Sequence, residues 1–457
     1  MFKRKNFFKA LLLAIGDWLL LYTSLRLVLF LRYSETQNYN LLIERHFIPF
    51  ALIFAFWIII FYSFGLYEPR LLKNSRIFIY RLLKAVAVGV VLAILVFYLL
   101  PPLKIEPRRN LLNIAVFSTV LIFLWRYIFN TLIIRTSPSR IIFLGTNKEA
   151  EELAEYLLKN PQLGQRPVAF IDNKEDDLNI SGISRYKLTD DFRLAVEKTQ
   201  AEVIVISPDI QENKETIKIL FQMLPLGLKM VEFGSFYEAL VGKVPVSVIG
   251  EFWFLENLVG VKKPFWEISK RLADLIIAFI ASIPALLLFP FIAMAIKTCY
   301  GGPIFFRQKR VGKNGKVFEI LKYRSTFRTE VGKQDGWEKE GDHIYTKIGL
   351  FLRRSYLDEL PQIINIFKGE MSFVGPRPER PEFVEELKKE IPFYEMRLLM
   401  KPGLTGWAQI HMEDDAAAKD APEKMQYDLY YVKNRSFILD LLIILRTFFS
   451  IIQRGGR

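Results

Sequence analysis

Four apolar runs, each about 20 residues long, decide most of what this chain can become, because a bilayer core takes about 20 residues of helix to cross. They cover residues 8–31, 47–66, 82–100 and 111–134, and a fifth covers 272–295. In hydrocarbon the backbone must bond within its own segment, so each run is expected to be helical. No cleavage site follows a short apolar core at the N-terminus, so the first run reads as a span rather than a removable leader. The charged interruptions are Asp17 and Arg26 in the first run and Arg126 in the fourth. Charges at such depth are functional, mutually paired or snorkelling near a helix end. The sequence leaves these readings open.

Basic loops orient spans toward the cytoplasm. The start of the chain carries Lys3, Arg4, Lys5 and Lys9, and Arg70, Lys73, Arg76 and Arg81 follow the second run. The first loop, 33–46, holds Arg45, and the third holds Lys104, Arg108 and Arg109. Both ends of the four-helix region are therefore expected on the cytoplasmic side. The formal net charge of +14 suits an anionic membrane surface or nucleic acid, and the apolar runs favour the membrane. A single cysteine, Cys299, excludes an intramolecular disulfide framework and a thiolate zinc cluster.

The fifth run differs from the others. Lys270 and Arg271 precede it, Lys297, Arg307, Lys309 and Arg310 follow it, and Pro284 and Pro290 lie inside. With both flanks inside, the segment cannot cross. It is expected to enter, break at a proline and return, with Ser282 satisfying freed backbone groups. The sequence does not choose between Pro284 and Pro290, and an ordinary fifth span is the alternative.

At 457 residues there is room for two or three domains. From Ser139 onward, apolar strands alternate with helical patterns: Arg140 to Gly145, Val168 to Asp172 and Val203 to Ser207 read as strands, and Glu149 to Leu158 as a helix. That alternation predicts a parallel, Rossmann-like sheet. The dinucleotide fingerprint is absent, since Gly145-Thr146-Asn147-Lys148-Glu149-Ala150 holds one glycine where three are expected. A spacer or assembly domain is the bland reading, and a nucleotide or regulator pocket the functional one.

The chemistry concentrates later, in Arg353-Arg354-Ser355-Tyr356-Leu357-Asp358-Glu359-Leu360-Pro361-Gln362, ahead of an apolar helix from Ile363 to Phe367. Proline is tolerated in a first helical turn, so a helix is expected to begin near Asp358 and stop at Gly369. A helix start attracts phosphate. Neighbours on a helix point about 100° apart, so Asp358 and Glu359 cannot face each other as an acid pair. They can serve two partners, such as a phosphorus atom and a metal. Further on, Arg377 stands between Pro376 and Pro378 in Ser372-Phe373-Val374-Gly375-Pro376-Arg377-Pro378-Glu379. The prolines restrict its direction, and its planar fork suits phosphate. Residues 302–312 and 316–325, with Arg307, Lys322 and Arg324, and the turn-rich loop 401–409 complete the set. Residues 383–399 and 437–452 read as amphipathic or interfacial helices.

These segments resemble the bacterial sugar transferase family, the polyprenyl-phosphate hexose-1-phosphate transferases, over about residues 270–452. Tyr427-Asp428-Leu429-Tyr430-Tyr431-Val432-Lys433-Asn434 belongs to the same set. The sequence departs from the pattern at Thr326 and loosely at Gly341-Asp342-His343-Ile344-Tyr345-Thr346. The long N-terminal part resembles the large members that begin exopolysaccharide, capsule or O-antigen units. The expected fold class is a membrane protein, α plus α/β. It comprises a four-helix transmembrane bundle over 1–137, a Rossmann-like cytoplasmic domain over 138–262 and a mostly helical catalytic domain over 263–457. The last carries a re-entrant membrane helix at about 270–298.

The resemblance implies transfer of a sugar 1-phosphate from a nucleotide sugar, a UDP-sugar first of all, to undecaprenyl phosphate, with release of UMP, in the bacterial inner membrane with catalysis on the cytoplasmic face. Asp358 would form a covalent phospho-sugar intermediate. Glu359 would help hold Mg²⁺ with Asp358 or orient the lipid phosphate. Arg353 and Arg377, with Arg307, Lys322 and Arg324, would bind phosphate. No nucleic acid partner is expected, and a homodimer stands as one option for assembly. His46, His343 and His411 are too scattered for a His-based nucleophilic triad. Two alternatives are a membrane nucleotide-sugar dehydratase and a non-catalytic membrane scaffold. The first needs a Tyr-x-x-x-Lys pair in the α/β domain, but Tyr80 and Lys84 lie before it. The second has no use for the acid pair and its arginines together.

Overall fold

A computed structural model of the chain describes residues 2–36, 39–99, 108–135, 138–172, 182–188, 192–211, 214–258, 264–328, 343–412 and 420–454. Lys104 and Asp342 lie outside the described residues, and so does the side chain of His343. The chain forms two compact units, Met1–Leu240 and Val241–Arg457.

The first unit opens with four long helices, α1 (Phe2–Tyr33), α2 (Tyr39–Ser63), α3 (Arg76–Leu99) and α4 (Arg108–Arg135). Each is long and apolar enough to cross a membrane. Leu21, Phe50, Phe54, Trp57, Phe61 and Ile122 form a buried seam, while Leu19, Ile48, Val91 and Leu112 face outward. Small residues let the helices approach: a Cβ on Gly89 would come within 2.8 Å of the Trp57 indole, and one on Gly16 within 2.6 Å of Trp125. Asp17 and Arg126 are neutralised inside this bundle. The Arg126 Nη2 meets Asp17 Oδ2, its Nε donates to Asp17 Oδ1 at 3.2 Å, and its Nη1 donates to the Leu66 carbonyl at 2.5 Å. Tyr67 adds its hydroxyl to Asp17 at 2.8 Å. Of the open readings for these charges, mutual pairing holds, and Arg26 is exposed.

The α/β portion follows: β1 (Ser139–Leu144), α5 (Lys148–Lys159), β2 (Gln165–Ile171), β3 (Ser184–Tyr186), α6 (Phe192–Thr199), β4 (Val203–Ile206), α7 (Pro208–Gln211), α8 (Lys214–Met223), β5 (Lys229–Glu232) and α9 (Phe233–Val241). The five strands are parallel in the order β3-β2-β1-β4-β5. Ile142, Leu144, Ala169, Ile171 and Ile204 are buried with Phe192, Ala195 and Val196 of α6. A parallel sheet covered on both faces reads as apolar runs without alternation, which is why β1 and β4 are legible.

The second unit comprises α10 (Glu251–Leu258), α11 (Pro264–Tyr300), β6 (Phe305–Val311), β7 (Val317–Tyr323), β8 (Thr326–Arg328), β9 (His343–Tyr345), α12 (Lys347–Arg354), α13 (Gln362–Lys368), β10 (Ser372–Val374), α14 (Pro381–Glu390), β11 (Gly403–Thr405), α15 (Ala421–Asn434) and α16 (Phe437–Arg454). Its core joins Val244, Trp253 and Leu258 to Ile363, Ile366, Val384, Leu429 and Ile443. The expected single helix over 383–399 is two pieces, because Pro392 cannot donate and Phe393 turns left-handed at φ 60° before a short 3₁₀ turn, Tyr394–Leu399.

Helix α11 corrects the expected break: it runs for 37 residues through both Pro284 and Pro290. Ser282 donates to the Phe279 carbonyl at 2.7 Å, whereas the carbonyl that Pro284 leaves without its helical donor is that of Ile280, four residues back. One stripe of the helix packs on the unit. Ala278, Ala281 and Ala285 meet the main core, and Phe289, Ile292, Ile296 and Tyr300 meet a second cluster with Tyr323 and Leu352. Phe279, Ile280, Ile283, Leu286, Leu287 and Phe291 are exposed apolar residues on the remaining surface. The basic residues at its start are anchors: Lys270 pairs with Asp440 of α16 at 2.7 Å, and Arg271 donates to the carbonyls of Ile366 and Phe367. Asp440, an interruption in the apolar pattern, is a buried partner that also accepts from the Tyr431 hydroxyl at 2.6 Å.

Candidate functional site

The local chain from α12 to α13 determines where the two carboxylates go. Thr346 caps α12, its Oγ1 accepting from the Gly349 N–H at 2.9 Å. Tyr356 ends that segment in the left-handed region at φ 56°, and a 3₁₀ turn, Leu357–Glu359, follows. Helix α13 begins only at Gln362 and closes at Gly369, whose φ of 83° suits glycine. The expected stop at Gly369 is therefore observed, and the expected start near Asp358 is not. The two acids lie in the tighter turn before the helix, because the left-handed Tyr356 redirects the chain three residues earlier.

Asp358 and Glu359 are each about 7% exposed, yet they are treated differently. Glu359 Oε1 accepts from Lys322 Nζ at 2.7 Å and from Arg377 Nη2 at 3.2 Å. Burial would raise the Glu359 carboxyl, but Lys322 and Arg377 outweigh it and hold it at about 2. Asp358 makes no side-chain hydrogen bond among the described residues. Burial, the largest influence, pushes its carboxyl up; Lys322 opposes, Glu359 adds to the rise, and the balance stands at about 6. Two adjacent carboxylates thus hold their protons very differently. At neutral pH Asp358 is ionised, weakly solvated and without a side-chain donor among the described residues, which is the condition of an available nucleophile.

Asn365, which motif reading passed over, explains why Lys322 is there. Its side chain accepts from the Leu321 N–H at 3.1 Å and donates to the Glu319 carbonyl at 2.7 Å. This clips α13 to β7 and brings Lys322 against Glu359. Of the other expected phosphate ligands, Arg353 is exposed, and its charge lowers Asp358. Arg324 lies against Gly302, where a Cβ would come 2.4 Å from its Nη1. The structure does not bring Arg307 to the acids: it is solvent-facing and 3.8 Å from Glu319. Strand alternation gives the inward position to Arg310 instead, and Arg310 donates to the Pro378 carbonyl at 3.1 Å.

Magnesium is commonly held by one or two carboxylates together with substrate phosphates. Among the described residues no group of three or more His, Cys, Asp or Glu converges, so a dedicated protein cage is not formed there. The adjacent oxygen donors of Asp358 and Glu359 fit the substrate-assisted mode.

Comparison with known proteins gives two family matches. The family described as bacterial sugar transferase matches residues 265–454, and one described as CoA-binding domain matches residues 62–223. The chain is 38% identical over 224 residues to a UDP-N-acetylgalactosamine-undecaprenyl-phosphate N-acetylgalactosaminephosphotransferase of Aeromonas hydrophila, covering 48% of this chain and 51% of that protein. It is 32% identical over 325 residues to a UDP-glucose:undecaprenyl-phosphate glucose-1-phosphate transferase of Xanthomonas campestris pv. campestris, covering 67% and 65%. An exopolysaccharide production protein, ExoY, of Sinorhizobium fredii is 34% identical over 220 residues, covering 45% of this chain and 95% of that protein. The chain thus spans 51% and 65% of the length of the first two relatives.

The α/β residues do not fit a CoA diphosphate in the crevice where strand order reverses, between β1 and β4. Gly145 is packed so closely that a Cβ would come within 2.8 Å of Ile210 and Ser207. Asn147 already caps α5 and donates to Ser207 at 3.0 Å. Glu149 and Glu151 put negative charge in the first turn, where a diphosphate would sit.

Proposed function

From the fact that this chain belongs to the bacterial sugar transferase family, we propose that it moves a sugar 1-phosphate from a UDP-sugar to undecaprenyl phosphate, the first membrane step of exopolysaccharide, capsule or O-antigen synthesis. One observation carries the mechanism: Glu359 is held by Lys322 and Arg377 while the neighbouring buried Asp358 carboxylate is without a hydrogen bond among the described residues.

Asp358 Oδ attacks the sugar-bearing phosphorus. The bond from that phosphorus to the bridging oxygen breaks, and UMP leaves with the electron pair. An oxygen of undecaprenyl phosphate then attacks the same phosphorus, the aspartyl bond breaks, and Asp358 returns as a carboxylate. Neither step requires a proton to move at Asp358. Lys322 and Arg377 supply positive charge beside the reacting phosphates, and Arg353 adds to it from the end of α12. Asp358 and Glu359 would hold magnesium, which would supply positive charge to offset the negative charge on the leaving phosphate.

Incubating the chain in nanodiscs with undecaprenyl phosphate, Mg²⁺ and a panel of UDP-sugars should release UMP with at least one of them. No UMP from any sugar would overturn the assignment.

The catalytic unit lies on the cytoplasmic face of the inner membrane in this proposal, with both ends of α11 on that face. Packing of the stripe from Ala278 to Tyr300 along one unit supports this placement. With Cys299 replaced by Ser, single cysteines at 270 and 307 should be labelled from the same side of sealed vesicles. Labelling from opposite sides would make α11 an ordinary span.

A further inference from the structure

The Arg377 side chain reaches Glu359 because something holds its main chain, and that support lies in residues outside the acid pair and the proline-bracketed motif. Three consecutive carbonyls are each taken by a donor. Arg397 Nη2 donates to the Arg377 carbonyl at 2.9 Å, Arg310 Nη1 to the Pro378 carbonyl at 3.1 Å, and the Val311 N–H to the Glu379 carbonyl at 2.9 Å. Arg397 is itself fixed. Its Nη2 stands 2.7 Å from Asp428 Oδ2, with side chains 4% and 1% exposed, and its Nη1 donates to the Tyr394 hydroxyl at 2.5 Å. Asp428 and Lys424 are four residues apart on α15 and so share a face. Lys424 pairs with Glu379, so α15 grips the same segment at a second point.

A buried guanidinium requires compensation, and breaking such a pair is costly. A surface loop needs no such device, whereas a loop that must present one guanidinium in one direction does. We propose that Arg397, oriented by Asp428 and Tyr394, is a positioning residue that aims Arg377 at the sugar-bearing phosphate by holding its carbonyl. The inference rests on the transfer reaction proposed above. It assigns the buried pair to setting the direction of Arg377 and predicts that its energetic effect passes through that side chain.

The test is a double-mutant cycle on UMP release in nanodiscs with the UDP-sugar that the wild type turns over. Arg397→Lys keeps a charge facing Asp428 but loses the fork that reaches Arg377. It should lower kcat by about 10- to 100-fold, the scale of an ångström-sized misplacement, with a smaller change in KM for the UDP-sugar. In an Arg377→Ala background the same change should cost less than about twofold, because no side chain remains to aim. Equal losses in both backgrounds would overturn the proposal and leave Arg397 as packing alone. Should Arg397→Lys fail to fold, Asp428→Asn is read in the same cycle, with the same two outcomes deciding. A wild type inactive on every UDP-sugar would overturn the transfer reading and this inference with it; an active wild type with equal losses overturns this inference alone.

Discussion

Replacing Asp358 by Asn should abolish formation of a phospho-sugar enzyme. A UDP-sugar carrying radioactive phosphate beside the sugar, given without lipid acceptor, should label the wild type and leave the variant blank after denaturation. Losing a covalent nucleophile should cost several orders of magnitude in turnover, each tenfold being about 1.4 kcal/mol. Glu359→Gln should slow turnover yet still allow some labelling, because Glu359 organises charge rather than attacking. The wild-type labelling rate should fall as pH drops through about 6, where Asp358 takes up its proton, and level off above neutrality. Stability should move the other way. The rise of Asp358 from 3.8 to about 6 favours folding only below the unfolded value and is lost as pH climbs through the folded one. At pH 7 the ionised carboxylate therefore costs about 3 kcal/mol, and Asp358→Asn should melt higher, with the advantage disappearing near pH 4. An Asn variant that labels like wild type would point to direct attack by the lipid phosphate.

Breaking the Asp17–Arg126 pair should be the most destructive change in the first unit. Either Asp17→Leu or Arg126→Met leaves the other charge buried among apolar helices, where loss of one partner costs roughly 3–5 kcal/mol. Thermal melting in nanodiscs should drop steeply for each single variant. The double variant, which removes both charges, should recover most of the loss, because two apolar side chains can replace a buried ion pair at little net cost. Recovery would identify the pair as structural. A double variant as unstable as the singles would mean that Tyr67 and the Leu66 carbonyl, which also bond to the pair, carry the larger share.

The parts of this fold that were legible in the sequence are those that follow a period or a length. Spans of about 20 apolar residues announce α1 to α4, and β1 and β4 announce a covered parallel sheet. Asp358, Glu359 and Arg377 stood out because their neighbours restrict them: prolines beside Arg377, and a helix stop at Gly369. What could not be read are long-range closures made by single side chains. Arg310 differs from Arg307 only in strand parity, which becomes visible once β6 pairs with β7. Arg397 reads as one more cation in an interfacial helix, since nothing local says that Pro392 will turn it inward toward Asp428. The parallel pair β10–β11 joins three-residue strands some thirty residues apart, too short to show a period. The prolines of α11 misled for the opposite reason: the local rule for a break is strong, but the packed stripe along one face sustains the helix through them.

Tyr356 carries a consequence beyond catalysis. A non-glycine residue at φ 56° costs on the order of 1–2 kcal/mol, and the ionised Asp358 two residues later adds its own penalty. Within three positions the chain thus accepts conformational and electrostatic loss together. Long propagation under heat, with turnover left unscreened, should therefore erode this turn before the surrounding core: glycine or asparagine would spread at 356 and asparagine at 358. Directed evolution for durability and for sugar transfer would pull the same few codons apart, and any thermally hardened descendant should be sequenced here first.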